Sequence, residues 1–350
     1  MFGMGAIVRP QIQSAGGRGS ARLMRTKVAA SSASHKWPIQ HGQMCGWCSV
    51  ASRVRFRHAP ALAHDPMTVI EYDSTRTALY HPEQRDTVFA PGVACSAVQL
   101  AVETARLAYV RTEESAEQRD RLATALSCCG FDAPESFGHA LTGSHAFGCI
   151  RPADGAAILA FRGTQPDDLA DLAIDLDAVA GPWQEAAGSV HSGFARAARS
   201  LMPEIADWMA RVSVQPAHLT LTGHSLGAAI ATLAATVWKP SRLVTLGSPR
   251  VGNSDFTATL AGIDCTRIVD CCDAITDLPP ALGHYVHAGP ATYINRLGEV
   301  LAGPADEFVA ADRTKARSEY VARYAWRIGS VLVRDLADHA PINYARAFFR

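Results

Sequence analysis

A five-residue segment of the chain has the pattern of a nucleophilic serine. Ser225 stands at the centre of Gly223-His224-Ser225-Leu226-Gly227. In a GxSxG segment of this kind, a serine hydroxyl at the apex of a sharp turn can attack an acyl carbonyl, and the two glycines let a strand and a helix approach that turn closely. The pattern also occurs by chance, so its meaning depends on the elements around it.

Those elements have the order that such a turn requires. Residues 217–222 alternate in the manner of a buried strand, and residues 227–238 are an alanine-rich helix that ends before Lys239-Pro240. A strand, a tight turn and a helix are the setting of a nucleophile elbow. The free N–H groups at the start of the helix would also favour negative charge that develops beside the serine.

A serine hydroxyl is a weak nucleophile, so it needs a base, and the base needs an acid to orient it. In α/β-hydrolases the chain order is serine, acid, histidine. The histidines that follow Ser225 are His284, His287 and His339. The acids that follow a predicted strand at 266–269 are Asp270, Asp273 and Asp277. The order alone leaves these alternatives open.

The remaining hydrophobic patterns predict an α/β fold with a mainly parallel central sheet flanked by helices, because strands alternate with helices of ten or more residues. Further strands are predicted at 156–161 and 242–246, with an ambiguous edge strand at 285–294. Further helices are predicted at 96–110, 193–212 and 319–336, the last with one apolar face.

The net charge, the longest apolar run and the cysteines of the chain argue against several classes of function. The 350 residues carry a formal net charge of zero, which gives no reason to expect a nucleic-acid partner. The longest strongly apolar run, 225–238, is too short to span a bilayer, so no integral membrane segment is expected. The nine cysteines include two adjacent pairs and suit free thiols in a reducing compartment, which together with the lack of a secretory signal predicts a cytoplasmic location. No metal or organic cofactor is expected, because clustered ligand spacing is missing.

The first 66 residues differ from the rest of the chain. They hold nine Lys and Arg against one acidic residue, Asp65, a net charge of about +8 that residues 67–350 offset. Three explanations compete: a disordered basic tail, a transit-like presequence, or translated upstream sequence with the working start at Met67. Residues 1–66 are therefore interpreted as an N-terminal extension, and residues 67–350 as the catalytic domain.

Six segments together resemble the class 3 lipases, the fungal-type triacylglycerol lipase family. They extend over residues 96–344 in the family's order and are far more specific than the serine pattern alone. The matching segments are Ala160-Phe161-Arg162-Gly163-Thr164, Val190-His191-Ser192-Gly193-Phe194, Thr222-Gly223-His224-Ser225-Leu226-Gly227-Ala228-Ala229, Thr245-Leu246-Gly247-Ser248-Pro249-Arg250-Val251-Gly252-Asn253, Asp273-Ala274-Ile275-Thr276-Asp277-Leu278-Pro279-Pro280 and Asp338-His339-Ala340-Pro341-Ile342-Asn343-Tyr344.

The resemblance implies a triad of Ser225, Asp273 and His339. The family's acid lies five residues before a Leu-Pro-Pro, which selects Asp273, although the usual Asn before the acid is replaced by Cys272. The family's histidine lies in a late Asp-His segment ending in Tyr, which selects His339 and leaves His287 as the second choice.

The resemblance also implies an α/β-hydrolase fold with an oxyanion hole and a lid. The N–H groups of Leu226 and Thr164 would stabilise the negative charge on the carbonyl oxygen. Residues 167–176 would form a short amphipathic lid helix with an acidic outer face, which disfavours anionic lipid surfaces and favours small or dispersed esters. His191 and His224 are interpreted as structural.

The sequence thus predicts a serine carboxylic ester hydrolase, a lipase or esterase, whose partner is a lipid or small ester substrate met through transient contact with a lipid surface. Two alternatives within enzymes are phospholipase A1 and acyltransferase activity, because the same triad serves both. A third is a hydrolase-fold binding protein without catalysis.

Overall fold

The computed structural model describes residues 69–163, 180–281 and 285–350, and a single large sheet lies at its centre. The strands in chain order are β1 (Glu135–His139), β2 (Ser144–Arg151), β3 (Ala156–Phe161), β4 (Ala180–Pro182), β5 (Ser189–His191), β6 (Leu219–His224), β7 (Arg242–Leu246), β8 (Asp264–Asp270), β9 (Ala291–Ile294) and β10 (Val300–Ala302).

Five neighbouring strands of the large sheet are parallel. The spatial order is β1-β2-β3-β6-β7-β8-β9-β10, with parallel pairing from β3 to β9 and antiparallel pairing at both edges. Strands β4 and β5 form a separate antiparallel pair. Because parallel strands end on the same edge of a sheet, the loops that follow β3, β6 and β8 meet there. The predicted α/β-hydrolase core, with its mainly parallel sheet, is confirmed.

Helices cover the sheet. In chain order they are α1 (Arg76–Tyr80), α2 (Ala97–Leu107), α3 (Ala116–Ser127), α4 (Ser192–Arg211), α5 (Leu226–Trp238), α6 (Ser254–Ala258), α7 (Asp306–Arg323), α8 (Arg334–Ala337) and α9 (Pro341–Ala345). Ser96 and Gln99 form a reciprocal capping box at the start of α2.

Helix α5 lies close against the sheet because its first turns carry small side chains. Ala228, Ala229 and Ala231 have no solvent-accessible surface, and Ala229 and Ala231 share a core with Leu221 on β6 and Trp208 on α4. Burying a large apolar side chain contributes about 2 kcal/mol, so this core holds the turn at Ser225 from both sides.

The structure corrects two of the predicted elements. The predicted helix at 319–336 is wrong: α7 ends at Arg323, turns occupy most of residues 324–333, and α8 begins at Arg334. The apolar residues of that stretch have helical spacing, but Gly329 at φ 86° interrupts the backbone. The edge strand predicted at 285–294 is also wrong in part. The observed strand, β9, covers only Ala291–Ile294, and it pairs with β8 on one side and β10 on the other, so it is not at the edge of the sheet.

Two predicted features lie outside the described residues, namely the N-terminal extension at 1–66 and the lid helix at 167–176, so both stay predictions. Among the residues that are described, no helix combines the length and the apolar character needed to cross a bilayer.

Candidate active site

Ser225 lies at the apex of a strained turn between β6 and α5. Its backbone adopts φ 58° and ψ −126°, a conformation that non-glycine residues rarely take, and its N–H donates a 3.0 Å hydrogen bond to the carbonyl of Leu246 on β7. The flanking glycines are required by close contact: a Cβ on Gly223 would meet the backbone of Gly227, and one on Gly227 would meet the carbonyl of Phe161.

Asp273 lies just after β8, completely buried, and its carboxylate is fully hydrogen-bonded. Oδ1 accepts from the backbone N–H of Ile275 at 2.9 Å. Oδ2 accepts from Nδ1 of His339 at 2.8 Å and from the hydroxyl of Tyr344 at 2.5 Å. Three donors around one buried carboxylate fix its position.

His339 follows α8 and is buried, and its hydrogen bond to Asp273 sets its tautomer. Because a carboxylate only accepts, Nδ1 carries the proton and Nε2 presents a lone pair. Neither Nε2 of His339 nor Oγ of Ser225 has a hydrogen-bond partner within the described residues. The two atoms needed for proton transfer are therefore the uncommitted ones.

His224 holds the His339 ring against the serine turn. The two imidazole centroids are 4.4 Å apart, and Nδ1 of His224 shares a 2.8 Å hydrogen bond with the Tyr109 hydroxyl. Burial, and then the neighbouring His339, hold the pKa of His224 well below its usual 6.5, so its ring is neutral. His224 is thus a packing partner of His339.

One of the two predicted oxyanion donors, Leu226, lies within the described residues. Leu226 is the first residue of α5, so its backbone N–H has no acceptor within the helix and is available beside Ser225. Thr164, the second predicted donor, lies outside the described residues. Gly163, directly before it, follows the end of β3 beside the Tyr109 hydroxyl, whose pKa burial raises.

The other candidate acids have different surroundings. Asp277 is exposed and accepts from Arg313 at 3.1 Å. Asp270 is buried, and neither of its carboxylate oxygens has a hydrogen-bond partner among the described residues. Burial and the nearby Asp338 raise the pKa of Asp270 well above its usual 3.8.

The other candidate histidines are also separated from this arrangement. Nε2 of His287 donates to the carbonyl of Thr276 at 2.8 Å, and burial together with Arg267 and Arg250 lowers its pKa to about 3. His284 lies outside the described residues. His191 caps α4, where its Nδ1 accepts from the N–H of Phe194 at 3.3 Å.

The part played by Asp338 was not predicted from the sequence. Its buried carboxylate accepts from the backbone N–H of Cys272 at 2.9 Å, from Arg334 Nε at 2.9 Å and from the Tyr72 hydroxyl at 2.8 Å. Cys272 directly precedes Asp273, and Asp338 directly precedes His339. The residues before the candidate acid and base are therefore hydrogen-bonded to each other, which couples their two loops.

One group in the described part of the chain has the composition of a metal site. The ligand atoms of Cys271, Cys272 and Asp338 lie within 4.8 Å of one another, and all three residues are buried. Protein groups already satisfy them, because Asp338 pairs with Arg334 and the Cys271 thiol contacts Tyr293 and Asp312. The adjacent arginine charge opposes a cation, so the cluster is explained as structure.

Comparison with known proteins shows that the chain is similar to lipases and a phospholipase. Residues 158–283 match a family model described as lipase (class 3). The chain is 46% identical over 85 residues to the chloroplastic phospholipase A(1) DAD1 of Arabidopsis thaliana, covering 22% of this chain and 19% of that protein. It is 33% identical over 127 residues to secreted mono- and diacylglycerol lipase 1 of Fusarium solani, covering 34% and 36%. The chain thus spans about a fifth and a third of these relatives.

Among solved structures, the chain is similar to the lipase from Rhizopus microsporus var. chinensis, with a TM-score of 0.48 and 23% identity. The alignment covers 58% of this chain and 76% of that one.

Proposed function

Because the chain belongs to the class 3 lipase family, we propose that it hydrolyses carboxylic esters of lipids, with Ser225 as nucleophile, His339 as base and Asp273 as the acid that orients the base. The observation that carries this proposal is the hydrogen bond from His339 Nδ1 to Asp273 Oδ2. It leaves Nε2 as a proton acceptor on a ring whose centroid is 4.4 Å from that of His224, the residue directly before Ser225.

The reaction begins when Oγ of Ser225 attacks the ester carbonyl while Nε2 of His339 takes its proton. The tetrahedral oxyanion accepts from the Leu226 N–H and, in this proposal, from that of Thr164. The carbon–oxygen bond to the alcohol then breaks as His339 returns the proton to the leaving oxygen. Water, deprotonated by His339, attacks the acyl-serine. His339 then returns the proton to Oγ of Ser225 as the acyl carbon–oxygen bond breaks, which releases the carboxylic acid and the free serine.

The electrostatics of the site suit this cycle. When Nε2 is protonated, the imidazolium lies between the buried carboxylate of Asp273 and the neutral ring of His224. A charged His224 would repel the imidazolium, whereas a neutral one does not. Ser225 and His339 are both buried, so the substrate reaches Oγ only when part of the chain around the site moves.

The direct test is an assay on chromogenic esters of increasing acyl length. We expect wild-type hydrolysis, and a loss of at least a thousandfold in kcat for Ser225→Ala and His339→Ala. His287→Ala is the matched control and should retain most activity. If Ser225→Ala keeps undiminished turnover, the assignment of the nucleophile is wrong. If no ester is turned over and a fluorophosphonate leaves Ser225 unmodified, the fold serves binding instead of hydrolysis.

A second candidate is phospholipase A1 activity, which the plant relative named phospholipase A(1) favours. It predicts release of the sn-1 acyl chain from a phospholipid labelled differently at its two acyl positions, with no release by Ser225→Ala. Release of acyl chains from acylglycerols and not from phospholipids would favour acylglycerol lipase activity, which the name of the fungal relative supports.

A further inference from the structure

A surface loop before the candidate base exposes an unusual number of large apolar side chains. Within thirteen residues, Trp326 is 72% exposed, Ile328 106% and Leu332 66%. Val321 and Val333 are also exposed. These five residues are called the 321–333 surface below. Three of them, Val321, Ile328 and Leu332, belong to the apolar face that the sequence predicted for a helix at 319–336. In the structure they face solvent, which is costly unless something covers them.

The loop is held in place, so the exposure is not that of a frayed end. The backbone N–H of Val331 donates to Ser74 at 2.8 Å, and that of Arg76 donates to Gly329 at 2.8 Å. The buried hydroxyls of Ser74 and Ser330 are 3.1 Å apart. These bonds anchor the loop between Ile328 and Leu332, so those two side chains flank a fixed segment.

Two arginines complete this surface. The guanidinium of Arg327 lies 5.1 Å from the ring centre of Tyr324 and 5.9 Å from that of Trp326, and Arg323 lies 5.2 Å from Tyr324. Neither arginine forms an ion pair with a carboxylate in the described part of the chain. Their charge is therefore local and uncompensated, although the whole chain has a formal net charge of zero.

We propose that the 321–333 surface, with Arg323 and Arg327, docks the protein on an anionic lipid–water interface. This surface would have the opposite lipid preference to the acidic lid helix predicted at 167–176. Exposed tryptophan and branched aliphatic side chains partition into the boundary between headgroups and acyl chains. The indole N–H of Trp326 already donates to the carbonyl of Ala322 at 3.0 Å, so the ring can enter this boundary without an unpaired donor. Adjacent arginines are attracted to anionic headgroups, at about 1 kcal/mol each. Apolar contact and positive charge in one short segment match the two components of an anionic bilayer surface.

A second copy of the chain fits this surface less well. A two-fold contact places the same patch on both sides, so Arg323 and Arg327 of each copy would face those of the other. Facing like charges oppose such a contact, whereas an anionic lipid surface neutralises them.

The 321–333 surface lies shortly before the candidate base in the chain. The loop continues directly into α8 and then into Asp338 and His339. A lipid surface bound at 321–333 would therefore contact the segment of the chain that leads into the candidate base. The proposal concerns docking and holds whether or not the protein hydrolyses esters.

The test is sedimentation of the full chain with phosphatidylcholine vesicles, with and without phosphatidylglycerol. We expect binding to the vesicles that contain phosphatidylglycerol, weakened by added salt. The double variant Trp326→Ser/Ile328→Ser should lower the partition coefficient at least tenfold. Arg323→Gln/Arg327→Gln should lower binding to the anionic vesicles by about fivefold per arginine and leave binding to phosphatidylcholine unchanged.

The matched controls change the same residue types elsewhere. Leu141, 94% exposed in the turn between β1 and β2, is replaced by Ser, and exposed Arg196 on α4 by Gln. Both should bind vesicles like the wild type. All variants should hydrolyse a dissolved short-chain ester as fast as the wild type. If neither the wild type nor any variant hydrolyses the ester, the proposed function is contradicted but the docking proposal is not.

Equal vesicle binding by the wild type and Trp326→Ser/Ile328→Ser would overturn the docking proposal. A dimer in light scattering without lipid, converted to monomer by the same double variant, would overturn it too and assign the surface to a second copy.

Discussion

The backbone N–H of Cys272 donates a 2.9 Å hydrogen bond to the carboxylate of Asp338, and this bond connects the loop that carries Asp273 to the loop that carries His339. Arg334 and Tyr72 complete the set of donors around Asp338. The distance between the candidate acid and base thus depends on a buried carboxylate that is not itself part of the triad.

Replacing Asp338 by Asn should disturb both stability and turnover. The variant leaves the buried guanidinium of Arg334 without its charge partner, which typically costs about 3 kcal/mol of unfolding free energy. Misplacement of His339 should lower kcat at least tenfold with little change in KM. The matched control is Asp335→Asn, which removes a surface ion pair with Arg317 and should change stability by less than about 1 kcal/mol. Equal kcat in both variants would contradict the positioning role.

Gly247 offers a test that removes no chemical group. A Cβ there would lie 2.7 Å from Asp273 Oδ2 and 3.1 Å from His339 Nδ1, so Gly247→Ala should separate the pair and lower kcat at least a hundredfold. Gly262→Ala is the control, because its φ is also positive, at 89°, but a Cβ there meets nothing within 4 Å. Both variants carry backbone strain of about 1 kcal/mol, which differential scanning calorimetry measures. Equal activity losses would mean that strain alone is responsible.

The Tyr344 hydroxyl donates the shortest bond to Asp273, 2.5 Å, and burial keeps its pKa well above the usual 10, so it remains a donor at any working pH. Tyr344→Phe should lower kcat about tenfold, because a hydrogen bond to a buried carboxylate contributes about 1.5–3 kcal/mol. Tyr293→Phe, a buried tyrosine that hydrogen-bonds Asp312, serves as control. Kinetics on a soluble ester measure both, and an unchanged kcat for Tyr344→Phe would exclude this contribution.

Asp270 should make the protein less stable as pH rises. Burial raises its folded-state pKa above the usual 3.8, so the native state retains a proton that the unfolded state releases, and the unfolding free energy falls above about pH 4. One such proton corresponds to a slope of about 1.4 kcal/mol per pH unit. Asp270→Asn should flatten this slope in urea unfolding between pH 4 and 8. Asp277→Asn, on the surface, is the control. A slope unchanged by Asp270→Asn would contradict the assignment.

The parts of the fold that sequence predicted well are those with a strong local pattern. The strand before Ser225 and the alanine-rich helix after it were predicted to within about two residues, because a buried strand and a helix packed on a sheet need apolar or small side chains. Strands β1 and β2 were not predicted. In β1, Glu135–His139, apolar and polar residues alternate only weakly.

The loop at 324–333 shows why pattern alone can mislead. Its apolar residues repeat at helical spacing, yet tertiary hydrogen bonds to residues 74–76 hold it as a turn and leave Ile328 and Leu332 in solvent. The hydrogen bond between Cys272 and Asp338 joins residues 66 positions apart, and no local pattern in either segment predicts it. The Asp-His segment ending in Tyr344 was visible in sequence, but only the structure shows that its tyrosine contacts Asp273.

The most direct test is intact-protein and peptide mass spectrometry after rapid quenching with an activated ester. The account predicts an acyl adduct on the peptide that contains Ser225, its accumulation in the wild type, its slow formation in His339→Ala, and no adduct in Ser225→Ala. Turnover with the acyl group on another residue, or with none on Ser225 at any quench time, would contradict the account.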